Sequence, residues 1–327
     1  LHPGIENRNR RHQVTPFAIG GLQLNVSGLR DNLPYIQAKL DYFMYLFPWV
    51  QMVIFSELAA YGPNPAKAEP LPGPAERKFQ EMAARHKIWM VNGSLIELLN
   101  GKKYNTASVI DPTGKVIGRY RKIFPFLPYE EGIENGDSFF VFDVPDVGRF
   151  GVSICYDMWF PETTRTLASM GAEVILHPTL TSTIDREVEL CIARATAATN
   201  QCFFVDINGA GDGGSGRSII CGPAGDVLHQ FGNSEELVPL EIDLERTRRY
   251  REVGLRGLGQ PLKSFRDNQI VFPVYAPGGK ATSYLGDLGP LTKQSRGSRA
   301  GLDDEIANAN AVPPEVPADA ILPGTTT

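Results

Sequence analysis

The chain has 327 residues, 42% hydrophobic and 21% charged, with a formal net charge of -5, the profile of a globular chain with one large domain or two modest ones. That balance removes any electrostatic reason to expect nucleic acid or an anionic membrane as partner. No stretch reaches the roughly 18 apolar residues of a membrane span, and the first residues lack the apolar core of a secretory leader.

The basic cluster Arg8, Arg10, Arg11 and His12 reads as a solvated run, so residues 1–13 are expected to form an N-terminal arm. Cys155, Cys191, Cys202 and Cys221 contain no C-x-x-C pair, which argues against a disulfide framework or a zinc site. Free thiols fit a reducing compartment, and a cytoplasmic enzyme is the simplest expectation.

In chain order, residues 16–26 form an apolar run that predicts a buried strand. Ile36, Leu40, Phe43, Met44 and Phe47 then recur at helical spacing. Residues 49–57 predict a second buried strand, ending on the carboxylate of Glu57. A helix is expected over 75–86 and a strand over 88–96. Residues 105–111 and 115–120, joined by Asp111-Pro112-Thr113-Gly114, predict a hairpin with suitable turn residues. After a Pro- and Glu-bearing loop (125–137), two strands follow, the second ending at Cys155. A helix over 161–170 has Pro161 at its first turn; then come a strand through His177, a helix over 185–200, a strand at 202–208 and another hairpin near 217–231. Strands alternating with helices imply an α/β layered domain, and the hairpins make its sheets mixed. Residues 14–285 are taken as that domain. From 286 to 327 the chain is small, polar and Pro-rich, the composition of an extended arm or disordered tail.

Polar residues at strand ends mark the place where α/β sheets bind ligands. Glu57 and Cys155 each close a strand and Lys122 follows a third. A cysteine ending an apolar strand is, taken alone, most often a small buried hydrophobe. Its surroundings carry more. The run GVSICYDMWFPETTR, the segment FSELAAYG around Glu57 and the segment YRKIFPFLPYEEG around Lys122 occur in order, and together they resemble the nitrilase, or carbon–nitrogen hydrolase, superfamily over residues 14–275. The resemblance implies a four-layer αββα sandwich with Glu57 as general base, Lys122 as cation and Cys155 as nucleophile. It also implies a second glutamate after the lysine. Glu130, Glu131 and Glu134 are available, and the pattern of lysine, apolar stretch, Pro, one residue, Glu selects Glu130.

The chemistry suits these residue types. The thiolate is the nucleophile, and a thiol of ordinary pKa is mostly protonated at neutral pH, so a desolvated carboxylate is needed to take the proton. Lys122 and the backbone N–H of Tyr156 would hold the oxyanion. Cys155-Tyr156-Asp157 sides with the amidases and carbamoylases of the family, against the Cys-Trp-Glu usual in nitrilases. The reaction expected is hydrolysis of a small linear carboxamide to acid and ammonia through a thioester. An N-carbamoyl (ureido) hydrolase is the alternative, with a nitrilase behind it; an ammonia-feeding glutaminase domain and a silent scaffold are further readings. Met158-Trp159-Phe160 departs from the short-chain aliphatic amidases, which puts a very small amide in doubt. Trp159 is expected to line the pocket and His177 to support it. Arg165 could meet a substrate carboxylate, though an ion pair is the plainer reading. GAGDGGSG (209–216) is followed by a strand, not the helix a nucleotide loop requires. No metal or cofactor is implied, and the family resemblance implies a homodimer or larger even assembly formed through residues 161–170 and 187–200.

Overall fold

The computed structural model describes residues 14–294; the expected arm at 1–13 and the tail beyond 294 lie outside the described residues. The chain divides into two units, one of residues 1–126 and 130–271, the other of 127–129 and 272–327.

The larger unit holds two mixed sheets. The first contains β1 (Pro16–Gln23), β2 (Met52–Phe55), β3 (Trp89–Val91), β4 (Leu95–Leu99), β5 (Lys102–Ile110), β6 (Val116–Arg121) and a late strand, Glu236–Asp243, paired antiparallel to β1. The second runs, in spatial order from its late edge, Val227–Gln230, Ile219–Cys221, Phe203–Asn208, Val174–Thr179, Gly148–Val152 and Phe140–Val144. In chain order these second-sheet strands are β7 (Phe140–Val144), β8 (Gly148–Val152), β9 (Val174–Thr179), β10 (Phe203–Asn208), β11 (Ile219–Cys221) and β12 (Val227–Gln230), which makes Glu236–Asp243 β13.

The period of two along each strand builds the layers. Met52 and Ile54 of β2 face Val174 and Leu176 of β9 and Phe203, Val205 and Ile207 of β10 in a core between the sheets. Val53 and Phe55 turn the other way, against α1 (Leu33–Leu46) and α2 (Pro74–His86), whose Ile36, Leu40, Phe43, Phe79 and Met82 fill the outer core. On the opposite side Ile175 and Phe204 pack beneath α3 (Pro161–Ser169) and α4 (Asp185–Asn200) through Leu167, Leu190, Ala193 and Ala197. The result is the αββα sandwich that the resemblance implied.

Three expectations need correction. The strand expected over 88–96 is two, β3 and β4, separated at Asn92–Ser94. Gly93 makes the break: its φ is +75°, and a Cβ there would lie 1.8 Å from the carbonyl oxygen of Ser56, so only glycine allows the two chains to touch. The strands expected to end at Glu57 and Cys155 stop at Phe55 and Val152, leaving both residues in the turns beyond. The sequence reading also passed over β13 and the helices α5 (Glu245–Val253) and α6 (Pro261–Asp267); β13 alternates little, and α5, with ERTRRYREV, shows no apolar stripe to reveal it.

The smaller unit contains short turns, Pro273–Tyr275 and Tyr284–Asp287, flanking a four-residue helix, Gly279–Thr282. Among the described residues, no helix is long and apolar enough to cross a membrane.

Candidate active site

Glu57 lies two residues beyond β2, in a turn whose next residue, Leu58, has φ +50°. The turn is held from both sheets. Its Glu57 N–H donates to the Thr179 carbonyl at the end of β9 (3.2 Å), and the Leu58 N–H donates to Ser94 Oγ (3.0 Å). The break at Gly93 is what brings Ser94 there.

Lys122 follows β6. Its N–H donates to the Asn105 carbonyl of β5 (2.8 Å), continuing the ladder by one residue and aiming the ammonium inward. Nζ donates to Glu57 Oε1 and Glu130 Oε2, both at 2.9 Å. Lys122 and Glu57 are 1% and 2% exposed, and a buried charge at that depth persists only when paired. Burial opposes the Lys122 charge, but Glu57, the Cys155 sulfur and Glu130 outweigh it and hold its pKa well above the ordinary value. Burial raises the Glu57 pKa, with Lys122 opposing.

Asn105 was passed over in the sequence, where it is one polar residue within NTASVID. Its Nδ2 donates to Glu57 Oε1 (2.7 Å) and reaches Glu130 Oε1 (3.4 Å), so one amide spaces both carboxylates. Glu130 also accepts from the Phe126 N–H at 2.6 Å. Of the other two candidates in this loop, Glu131 is exposed and Glu134 pairs with Lys102.

Cys155 opens a short 3-10 turn, Cys155–Trp159, with φ +46°, an unusual value for a residue with a side chain. The Cys155 Sγ lies 4.0 Å from Thr181 Oγ1, and the Glu57 and Lys122 charges act on it. Burial and the neighbouring Glu57 charge push the thiol pKa well up, against Lys122. The resting group is therefore the thiol, and its proton needs an acceptor.

Asp157 explains how this strained turn is held. Its Oδ2 accepts from the Ile154 N–H (2.9 Å) and the Tyr120 hydroxyl (2.7 Å), and its Oδ1 from the Phe124 N–H (2.9 Å). One buried carboxylate thus ties the residue before Cys155 to the residues two before and two after Lys122. The sequence showed Asp157 only as part of a motif.

The remaining expected residues are dispersed. Tyr156 is half-buried, its ring against Phe126 (4.9 Å) and Phe160 (5.2 Å); its N–H lies in the first turn, where helical geometry supplies no acceptor. Trp159 Nε1 reaches Glu189 Oε1 at 3.4 Å. His177 is fully buried, with Nδ1 2.7 Å from Ser153 Oγ and its ring against Phe204. Burial lowers its pKa to about 4, so at neutral pH it is uncharged and packs. Arg165 points to the α6 side, its guanidinium 5.3 Å from the Phe265 ring centroid; the structure does not bring it to Cys155. The glycine-bearing loop 209–216 lies along β1's exit, with Asn25 bridged to Ala210. Among the described residues no group of three His, Cys, Asp or Glu side chains is arranged to hold a metal ion.

A second ionic cluster lies beyond Thr181. Arg186, 1% exposed, donates to Glu189 Oε2 (3.0 Å) and Asp206 Oδ2 (2.5 Å). Asp206 accepts from Thr179 Oγ1 (2.7 Å), and Glu189 Oε1 from Thr181 Oγ1 (3.0 Å). Composition and spacing did not reveal this cluster, because it draws on α4, β10 and the loop after β9.

Comparison with known proteins bears on the family and the fold. Omega-amidase NIT2 of Homo sapiens is 33% identical over 204 residues, covering 58% of this chain and 73% of that protein. Omega-amidase NIT2 of Danio rerio is 29% identical over 253 residues, 71% of this chain and 90% of the relative. Among solved structures, Saccharomyces cerevisiae Nit3, a member of branch 10 of the nitrilase superfamily, has a TM-score of 0.68 and 26% identity, covering 73% of this chain and 94% of Nit3. An amidase from Nesterenkonia sp. AN1, with the acetamide moiety of fluoroacetamide covalently added at its active-site cysteine, shares the fold (TM-score 0.64, 23% identity, covering 71% and 92%). The carbon-nitrogen hydrolase model matches residues 44–252, and the chain belongs to the carbon-nitrogen hydrolase family, within the nitrilase superfamily.

Proposed function

We propose that the chain hydrolyses a small linear carboxamide to a carboxylic acid and ammonia through a thioester on Cys155. The observation that carries this reading is the buried Glu57–Lys122 pair, braced by the half-buried Glu130, beside a thiol held in a left-handed turn.

Cys155 Sγ attacks the amide carbon as its proton passes to Glu57. The carbonyl oxygen becomes an oxyanion, held by the Lys122 ammonium and the Tyr156 N–H. Collapse breaks the C–N bond, and Glu57 returns the proton to the departing nitrogen, releasing ammonia and leaving the thioester. Water then attacks the thioester, its proton passing to Glu57 and on to the sulfur as the acid leaves. A base is needed in both halves, and the raised pKa of a desolvated Glu57 suits it to take and return one proton near neutral pH. Glu130 and Asn105 position Lys122 and Glu57. Fixed donors of the Lys122 kind contribute about 10²–10³ in rate in other enzymes.

Ammonia release from a panel of carboxamides, N-carbamoyl amino acids and nitriles, beside a Cys155→Ala control, tests the reading. Amide turnover that vanishes in the control is expected. Turnover confined to N-carbamoyl compounds or nitriles, or release that survives in the control, would overturn it.

A further inference from the structure

Both ionic clusters lie near Cys155, and each sets one cation between two carboxylates. Lys122 sits between Glu57 and Glu130; Arg186 sits between Glu189 and Asp206. Each has one cation against two carboxylates, so each formally carries one excess negative charge. The first cluster does the chemistry proposed above. The second touches no reacting atom in that scheme, yet it is buried at some cost: desolvating three charges is worthwhile only where paired geometry is good.

Its member nearest the nucleophile is Glu189. Thr181 Oγ1 is 4.0 Å from Cys155 Sγ and donates to Glu189 Oε1 at 3.0 Å, which puts the carboxylate within about 7 Å of the sulfur, close enough at an effective dielectric of ~20 to be felt strongly. The half-buried Trp159, in the turn that Cys155 opens, points its indole N–H at the same oxygen. An acyl group bonded to Sγ has Lys122 and Glu57 on the side of the reacting atoms, and Glu189, behind Thr181 and Trp159, is a further carboxylate beside it. The nearby cations are committed: Lys122 to Glu57 and Glu130, Arg186 to its carboxylates and the Arg217 carbonyl, and the Arg217 side chain to Glu187.

We propose that Glu189 is a specificity-determining residue, and that the site takes amides with a neutral or positively charged acyl group and rejects those bearing a carboxylate on it. This rests on the amide-hydrolase reading. It also separates the chain from any substrate that needs a basic pocket.

The test is kcat/KM for three amides of similar length, butyramide, 4-aminobutanamide and succinamate, on wild type and Glu189→Gln. A substrate carboxylate held as far from Glu189 as the sulfur is, about 7 Å, would at that dielectric meet a repulsion equivalent to a discrimination on the order of fiftyfold. Succinamate is expected to be about that much poorer than butyramide, 4-aminobutanamide at least as good, and Glu189→Gln to narrow the gap. A purely structural role would lower all three by a common factor, and that result, or succinamate matching butyramide in wild type, would overturn the proposal.

A second arm needs no turnover and uses wild type and Glu189→Gln. Alkylation of Cys155 by iodoacetamide and by iodoacetate is followed by peptide mass spectrometry, with the rate ratio referred to N-acetylcysteine. Cys155 is expected to disfavour iodoacetate relative to that free thiol, and Glu189→Gln to lessen that bias; an unchanged bias in the variant assigns it to Glu57 and overturns the proposal. If no amide turns over, the hydrolase reading fails and this ratio decides the present one: a ratio equal to the free thiol's sinks it.

Discussion

Asp157 is the residue on which the geometry of the nucleophile most depends. Its three accepted hydrogen bonds join the Cys155 turn to both sides of Lys122, so a change there displaces two reacting groups together. In Asp157→Asn one acceptor becomes a donor facing N–H groups, and we expect kcat/KM to fall at least about tenfold with the fold retained, checked by steady-state kinetics beside circular dichroism; a small misplacement of reacting groups commonly costs that much. The pH dependence follows from burial, which raises the Asp157 pKa from 3.8 to about 6 despite its N–H and hydroxyl donors. The folded chain then keeps a proton that the unfolded chain has already released. This contribution to stability is full below the ordinary value and is lost as pH rises through about 6, amounting to something on the order of 3 kcal/mol. Asparagine carries no such contribution. The difference in Tm, variant minus wild type, should therefore increase between pH 4 and pH 7; a flat difference would count against the assignment. Asp157 was visible in the sequence as a letter after Cys155 and Tyr156. Two of its three partners, Tyr120 and Phe124, lie more than thirty residues away, and spacing carries no information about them.

Elements explain why the catalytic turns lie where they do. Strand period was legible: the alternation in β2, β9 and β10 assigns each residue to one of two cores. Less legible was where a strand stops. The apolar runs continue to the edges of Glu57 and Cys155, whereas pairing ends earlier, since hydrogen bonding to neighbours and not hydrophobicity defines the last residue. Gly93 shows the consequence. Ala at 93 would combine an unfavourable φ with a backbone clash against Ser56, and Gly93→Ala is expected to destabilise by about 2 kcal/mol or more and to lower kcat by disturbing the Glu57 turn, as thermal melts and kinetics would report. Gln23 does a comparable job between sheets. Buried at the end of β1, it accepts from Ser218 N and Oγ and donates to the Gly232 and Ser234 carbonyls. Gln23→Leu leaves several buried polar groups unpaired, and a loss of about 2–4 kcal/mol in urea unfolding is expected.

At the scale of the whole molecule, assembly is the property to measure. We expect a homodimer or larger even assembly, on the strength of the family resemblance, through α3 and α4. Light scattering on the full chain should give at least twice the mass of 35.9 kDa; a monodisperse monomer would refute it. Ile184, Val188 and Met170 are exposed on or beside these helices, and Ala or Ser replacements there test the route. Residues 14–285 as the hydrolase domain, with an arm from 286, stay a proposal drawn from composition, to be examined by truncation at 285 followed by melting and activity.

The α/β class, the position of most strands and helices, and the three segments bearing Glu57, Lys122 and Cys155 were determined by sequence alone, because periodicity and local motif are properties of neighbouring residues. Tertiary structure decided the rest. Asn105 between two carboxylates, the Asp157 tether and the Arg186 cluster at Thr181 each need elements far apart in the chain to meet. Burial then raises the pKa of Glu57, Cys155 and Asp157, and burial belongs to the packed molecule, not to any stretch of its chain.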